Sequence, residues 1–153
     1  MKLSDILKRD AVIEDLGATT KKDVLCELLR PFAKVLPGFD RDTAVDILLE
    51  REKLGSTGVG EGIAIPHGKI AGLNDLIISF GRSAKGVDYD AMDGKPVHLF
   101  FMLMAPDGSA GQHLKALAKI SRMLKDVPFR RQLMAAESPE DLYGLIVGQG
   151  DLY

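Results

Sequence analysis

The chain has 153 residues, 46% of them hydrophobic and 27% charged, enough for one domain with a genuine core and the ordinary balance of a globular protein. A net charge of −2, a pI near 5.9 and dispersed Lys and Arg residues provide no field for a polyanion, which argues against nucleic acid as a partner. The single cysteine, Cys26, rules out an internal disulfide and a multi-cysteine zinc site.

In chain order, Leu3 to Lys8 reads as a short helical stretch and Ala11-Val12-Ile13 as a short strand. The charges of the first eight residues interrupt the apolar core a signal peptide needs. Thr20 with Asp23 resembles a capping box, and Val24, Leu25, Leu28, Leu29 and Phe32 follow at helical spacing until Pro37-Gly38. Asp40 caps a second helix with Ala44, Val45, Leu48 and Leu49 on one face and Gly55 as its stop.

The glycine-rich stretch Gly55 to Gly62 leads into Ile63-Ala64-Ile65, a predicted short strand, and then Pro66-His67-Gly68. Leu76 to Phe80 and Val97 to Ala105 are predicted strands around a turn at Asp93-Gly94-Lys95-Pro96; the second is apolar on both faces and hence central. Its apolar run, Leu99 to Ala105, is far shorter than the ~20 residues that span a bilayer. Helices follow over Gln112 to Lys125, with Leu114, Leu117, Ile120, Ser121 and Leu124 at helical spacing, and over Phe129 to Ala136. A last helix is capped by Ser138, has Pro139 at its first position and stops near Gly148. The alternation predicts an α/β fold in a single domain, 1–153, cytoplasmic and without direct membrane insertion.

The three histidines differ in context. His67 follows a short apolar strand, between a proline that fixes the chain and a glycine that lets a neighbour approach the backbone. That is the kind of strand-end position where open α/β sheets place ligands. Taken alone it reads first as a structural loop histidine. The preceding glycines expose backbone N–H groups, and Ser56, Thr57 and Gly58 suit an anion. No Gly-Lys-Ser/Thr follows, so this is not a Walker loop.

Arg51, at the end of the second helix, can pair with phosphate oxygens or simply favour the helix dipole. His113 falls in the first turn of its predicted helix, where a neutral imidazole can donate to a phosphate or cap its own helix. His98, in the apolar strand, is assigned no role. The histidine spacings match no zinc motif, so no metal is expected, nor any other cofactor. Without a Gly-x-Ser-x-Gly elbow, a serine hydrolase is unsupported.

The run from Arg51 through Gly55-Ser56-Thr57-Gly58 to Pro66-His67-Gly68, with Gly111-Gln112-His113-Leu114 beyond it, resembles the signature of the fructose/mannitol class of enzyme IIA. That family belongs to the bacterial phosphoenolpyruvate-dependent phosphotransferase system, and the resemblance covers nearly the whole chain. It implies a mixed β-sheet flanked by helices on both faces. It further implies that His67 accepts a phosphoryl group from the phosphocarrier HPr or its paralogue NPr, with His113 and Arg51 stabilising the group. Leu3 to Leu7 and Ala18 to Lys22 resemble the nitrogen-regulatory branch, whose phosphorylation state regulates partners such as potassium transport or sensor proteins. Two other readings stay open: a sugar-specific enzyme IIA that passes phosphate to a IIB domain, and a non-catalytic binding regulator. Ile63, Ile65 and Leu114 are candidates for an apolar docking patch.

Overall fold

The computed structural model describes residues 2–153. After a 3-10 turn at Leu3–Asp5 the elements run β1 (Leu7–Ile13), α1 (Lys21–Val35), α2 (Arg41–Lys53), β2 (Gly58–Gly60), β3 (Ile63–Ala64), β4 (His67–Lys69), β5 (Ile77–Val87), β6 (Val97–Ala105), α3 (Ala110–Leu124), α4 (Val127–Ala135) and α5 (Pro139–Gly150). The sheet is mixed, in the order β1-β5-β6-β3-β2, with β4 also paired to β6. The β1/β5, β3/β6 and β4/β6 pairs are parallel, whereas β5/β6 and β2/β3 are antiparallel.

Helix starts are fixed by side-chain caps. Thr20, Asp40, Asp126 and Ser138 accept from the backbone N–H of Asp23, Thr43, Phe129 and Asp141 at 3.3, 3.1, 3.1 and 3.0 Å, each satisfying one orphan donor of its first turn. Helices α1 and α2 pack on each other, and so do α3, α4 and α5. Strand β5 tells which face each group covers, because side chains alternate across a sheet. Ser79 donates to the Leu28 carbonyl of α1 at 2.7 Å, while Arg82, three residues on and hence on the other face, donates to the Leu133 and Ala136 carbonyls at the end of α4 at 2.9 and 2.6 Å. The sheet is therefore covered on both sides, and β6, buried from Leu99 to Ala105, is its centre.

Several boundaries depart from the sequence expectation. The helical stretch expected over Leu3 to Lys8 ends at Asp5, and the strand expected at Ala11 starts at Leu7, because Leu7 already pairs with Ile78. β5 runs on to Val87 instead of stopping at Phe80; its continuation holds Arg82, a charge that looks solvent-bound but is buried against the α4 carbonyls and Glu14. α3 and α4 each start two residues early, and α5 passes Gly148 to reach Gly150. Leu114, which shares the helical spacing of the inward residues of α3 and is also a candidate for a docking patch, is 67% exposed, whereas His113 is buried. Two short strands, β2 and β4, were not expected at all. No helix among the described residues is long and apolar enough to cross a membrane.

Candidate functional site

β3 and β4 lie along the same edge of β6 in one continuous register. Ile63 stands opposite Leu99 and Ala64 opposite Phe100, and then His67 stands opposite Leu103 and Gly68 opposite Met104. The two are one strand interrupted at Ile65-Pro66. Pro66 has no N–H to give, yet its carbonyl still accepts from Leu103 N at 2.9 Å, so the interruption stays anchored to the sheet. His67 accordingly does not follow the end of a strand; it resumes one.

Gly68 has a different role from the one its sequence suggests. A Cβ there would stand 2.9 Å from the Ile47 Cγ2 methyl of α2, so the glycine admits this protein's own helix against β4.

The His67 ring is held by its neighbour two residues back. Nδ1 lies 2.8 Å from the Ile65 carbonyl, which can only accept, so Nδ1 carries the proton. Burial lowers the His67 pKa from its ordinary value, the Ile65 hydrogen bond opposes this, the nearby Arg51 charge lowers it further, and Glu52 raises it. A neutral ring protonated on Nδ1 leaves the lone pair on Nε2.

His113 comes from the far side of the chain to meet it. The two rings make an edge-to-face pair with centroids 5.4 Å apart and planes at 78°. Burial, then the charges of His67 and Lys69, lower the His113 pKa as well. Its Nε2 is buried without a hydrogen-bond partner, the one side-chain polar atom in that state among the described residues. Because α3 starts at Ala110, His113 is its fourth residue and its own N–H is already given to the Ser109 carbonyl at 3.0 Å; it does not cap the helix.

Arg51 closes the last turn of α2, where its guanidinium donates to the Gly55 carbonyl at 2.8 Å. The loop that follows is tied down internally. Thr57 N–H donates to Glu52 Oε1 at 3.1 Å, the Thr57 hydroxyl donates to Glu52 Oε2, and the Tyr89 hydroxyl stands 3.2 Å from Thr57 Oγ1. Gly58 N–H donates to Ser56 Oγ at 3.0 Å. The donors of Thr57 and Gly58, expected to face an anion, are thus engaged within the protein and hold the loop; Ser56 is half-exposed, and its hydroxyl makes a long hydrogen bond of 3.5 Å to the Tyr89 carbonyl. Lys21 completes the cluster, with Nζ 3.5 Å from Glu52 Oε1 and 4.9 Å from the Tyr89 ring centroid. Burial and the Glu52 charge push the Tyr89 hydroxyl well above its usual range, so it remains a neutral donor.

Glu52 and Tyr89 were not foreseen from sequence. Glu52 looks like one more charge at the end of a surface helix; its burial depends on Thr57 folding back over it. His98, given no role, is half-buried with Nδ1 2.8 Å from the Ser83 carbonyl. Ile63 and Ile65, candidates for a docking patch, are core residues.

With this geometry in view, the comparisons are specific. Residues 5–148 match the profile of the family described as phosphoenolpyruvate-dependent sugar phosphotransferase system, EIIA 2. The chain is 39% identical over 146 residues to a nitrogen regulatory protein of Bradyrhizobium diazoefficiens, covering 95% of each. It is 38% identical over 146 residues to the fructose-specific EIIABC component of Bacillus subtilis, covering 95% of this chain and 23% of that one. Among solved structures, the nitrogen regulatory protein IIA-Ntr of Neisseria meningitidis superposes with a TM-score of 0.87 at 33% identity, over 94% of this chain and 98% of that one.

Proposed function

The chain belongs to the EIIA 2 family of the phosphoenolpyruvate-dependent sugar phosphotransferase system, and from that premise we propose that it is a phosphoryl carrier of the nitrogen-regulatory kind, loaded on His67. The observation that carries the reading is the His67–His113 pair: a neutral, oriented imidazole with a free Nε2, beside a buried imidazole whose own Nε2 has no partner.

In the proposed reaction the lone pair of His67 Nε2 attacks the phosphorus of a phosphohistidine on HPr or NPr, in line. The donor N–P bond breaks and its electron pair returns to the donor ring. The acceptor ring keeps its Nδ1 proton, and the Ile65 carbonyl stabilises the positive charge that develops there. The transferring group is metaphosphate-like, so positioning and charge do most of the catalytic work. His113 Nε2, once protonated or in its Nε2–H tautomer, and the Arg51 guanidinium donate to the phosphoryl oxygens; Ser56 can contribute its hydroxyl, with Thr57 and Gly58 holding the loop. The exposed apolar residues adjoining the site loops, Leu54, Val59, Met92 and Leu114, form the docking rim for the carrier.

The phosphorylated state adds about −1.5 to −2 charge at this face, enough to select between partners. Regulated proteins are the proposed readers. A second reading has its own support in the fructose-specific relative: onward transfer of the phosphate to a IIB domain.

The test is to incubate the protein with phosphoenolpyruvate, enzyme I and HPr or NPr and to follow phosphate by intact mass. The wild type should gain one acid-labile phosphoryl group and His67→Ala none. An unlabelled wild type, or a labelled His67→Ala, would overturn the proposal. Adding a IIB domain to the loaded protein separates the two destinations: retained label supports regulation, and rapid loss supports transport.

A further inference from the structure

We infer that Glu52 is a positioning residue: by capturing the Thr57 N–H it frees the Ile65 carbonyl to hold His67 in the Nδ1-protonated tautomer. The inference rests on His67 being the phosphoryl acceptor.

The geometry comes from how antiparallel strands pair. β2 and β3 place Gly58 opposite Ala64, so the next pair outward is Thr57 opposite Ile65. That pair is of the hydrogen-bonded type, since Ile65 N–H donates to the Thr57 carbonyl at 3.0 Å. In a regular ladder the same two residues exchange a second bond, from Thr57 N–H to the Ile65 carbonyl. Here the Thr57 N–H goes to Glu52 Oε1 at 3.1 Å, and the Ile65 carbonyl accepts from His67 Nδ1 at 2.8 Å instead. One carboxylate has exchanged a ladder bond for a catalytic one.

The arrangement is held from several sides. The second carboxylate oxygen of Glu52 accepts the Thr57 hydroxyl, whose oxygen in turn accepts from Tyr89, and Lys21 offsets the buried charge. Glu52 is only 8% exposed and its carboxylate hydrogen bonds go to Thr57; besides the direct pull of its charge on the His67 ring, it acts through Thr57 and Ile65. The physical consequence concerns the tautomer. An imidazole without an acceptor at Nδ1 is free to protonate on Nε2, which removes the lone pair that the phosphoryl group needs.

The experiment measures the tautomer directly, by 15N NMR of the His67 ring at neutral pH, alongside single-turnover phosphorylation by phospho-HPr or phospho-NPr. In the wild type the Nδ1–H form should dominate. Glu52→Ala should give a mixture of tautomers and slow transfer by roughly tenfold to a hundredfold, the upper end being the cost of misplacing a reacting group, with the carrier concentration at half-saturation unchanged. Glu52→Gln keeps an acceptor for the Thr57 N–H and should retain the single tautomer and most of the rate. If Glu52→Ala does not fold, Glu52→Asp carries the same expectation as Glu52→Ala, because its carboxylate is withdrawn by one methylene while its charge still faces Lys21. A single Nδ1–H tautomer with wild-type rate in Glu52→Ala or Glu52→Asp would overturn the inference, as would loss of that tautomer in Glu52→Gln. The NMR readout needs no phosphate donor, so a wild type that fails to label sinks the proposed function and leaves the tautomer result standing on its own.

Discussion

Replacing Gly68 with alanine tests whether the glycine after His67 serves the protein's own packing. The added Cβ would meet Ile47 Cγ2 at 2.9 Å, but Leu48 Cδ2 and Met104 Cε only at 3.7 and 3.8 Å, which are ordinary contacts. The cost is therefore concentrated in one clash, with a branched methyl fixed close to the α2 backbone. Carbon atoms settle at about 3.5–4.0 Å, so α2 and β4 must separate by roughly half an ångström or more. Overpacking of that kind costs about 1–3 kcal/mol, partly offset by about 0.4–1 kcal/mol from the reduced freedom of the unfolded chain. Taking the middle of each range, the net loss is about 1.3 kcal/mol, which at roughly 2–4 °C per kcal/mol for a chain of this size lowers Tm by about 3–5 °C.

Urea denaturation gives the stability change, read from the midpoint at constant m-value. The control is Ile47→Leu, which moves the branch from Cβ to Cγ and removes the clashing methyl while conserving volume. In a double-mutant cycle, Gly68→Ala should cost less by about 1 kcal/mol when Ile47→Leu is already present. Additivity within about 0.3–0.5 kcal/mol, or a Gly68→Ala variant as stable as the wild type, would refute the packing explanation and return the glycine to a role at the surface.

Three further outcomes are expected. His67 and His113 both have lowered pKa values, so as pH falls through their ordinary value of 6.5 the unfolded chain binds more protons than the folded one. The stability held by their neutral forms is complete above that pH and is lost toward the lowered folded values; urea titrations from about pH 7.5 to about pH 5 should show this slope, and it should shrink in His67→Gln/His113→Gln. Arg82→Met leaves the Leu133, Ala136 and Glu14 carbonyls without their donor and should lower unfolding free energy by about 3 kcal/mol, measured by denaturant, with a neutral result refuting the role of Arg82 in joining β5 to α4. His113→Ala should slow phosphoryl acceptance by about a hundredfold without altering the His67 tautomer, and an undiminished rate in single-turnover assays would remove His113 from the site.

The elements legible in the sequence were those with a local physical signal. Thr20, Asp40 and Ser138 are cap residues at the start of helical periodicities, and Val97 to Ala105 is a strand whose apolar run, Leu99 to Ala105, follows a turn; each has the predicted place. What stayed hidden was set by distant partners. Arg82 lies inside β5 because the end of α4 supplies it with carbonyls, and nothing near residue 82 announces them. β4 is three residues long, too short for any period, and is bounded by a proline that ordinarily argues against a strand. Leu114 and His113 exchange the faces their hydropathy suggests, because the buried place on α3 belongs to the residue that meets His67. The histidines and Arg51 could be picked out by chemistry, but that they converge came from the family resemblance. Glu52 adjoins Arg51 in the same run and passed for a surface charge, since its function depends on which of two acceptors receives one backbone N–H.

The interruption at Ile65-Pro66 explains how one site can be both rigid and chemically open. A fully paired strand would divide the Ile65 carbonyl between its ladder and the His67 ring; a free loop would leave it to water and let the ring turn. Here the residues on either side are anchored to β6, with Ala64 opposite Phe100 and His67 opposite Leu103, and proline removes a donor without releasing the chain. The ring is thus oriented by a backbone group that the sheet holds in place but does not use. On the proposed function, this frame also limits how phosphorylation can signal. The acceptor strand has no slack to refold, so the change presented to a partner is the added charge on a nearly fixed surface, and readers of this protein should respond to electrostatics more than to shape.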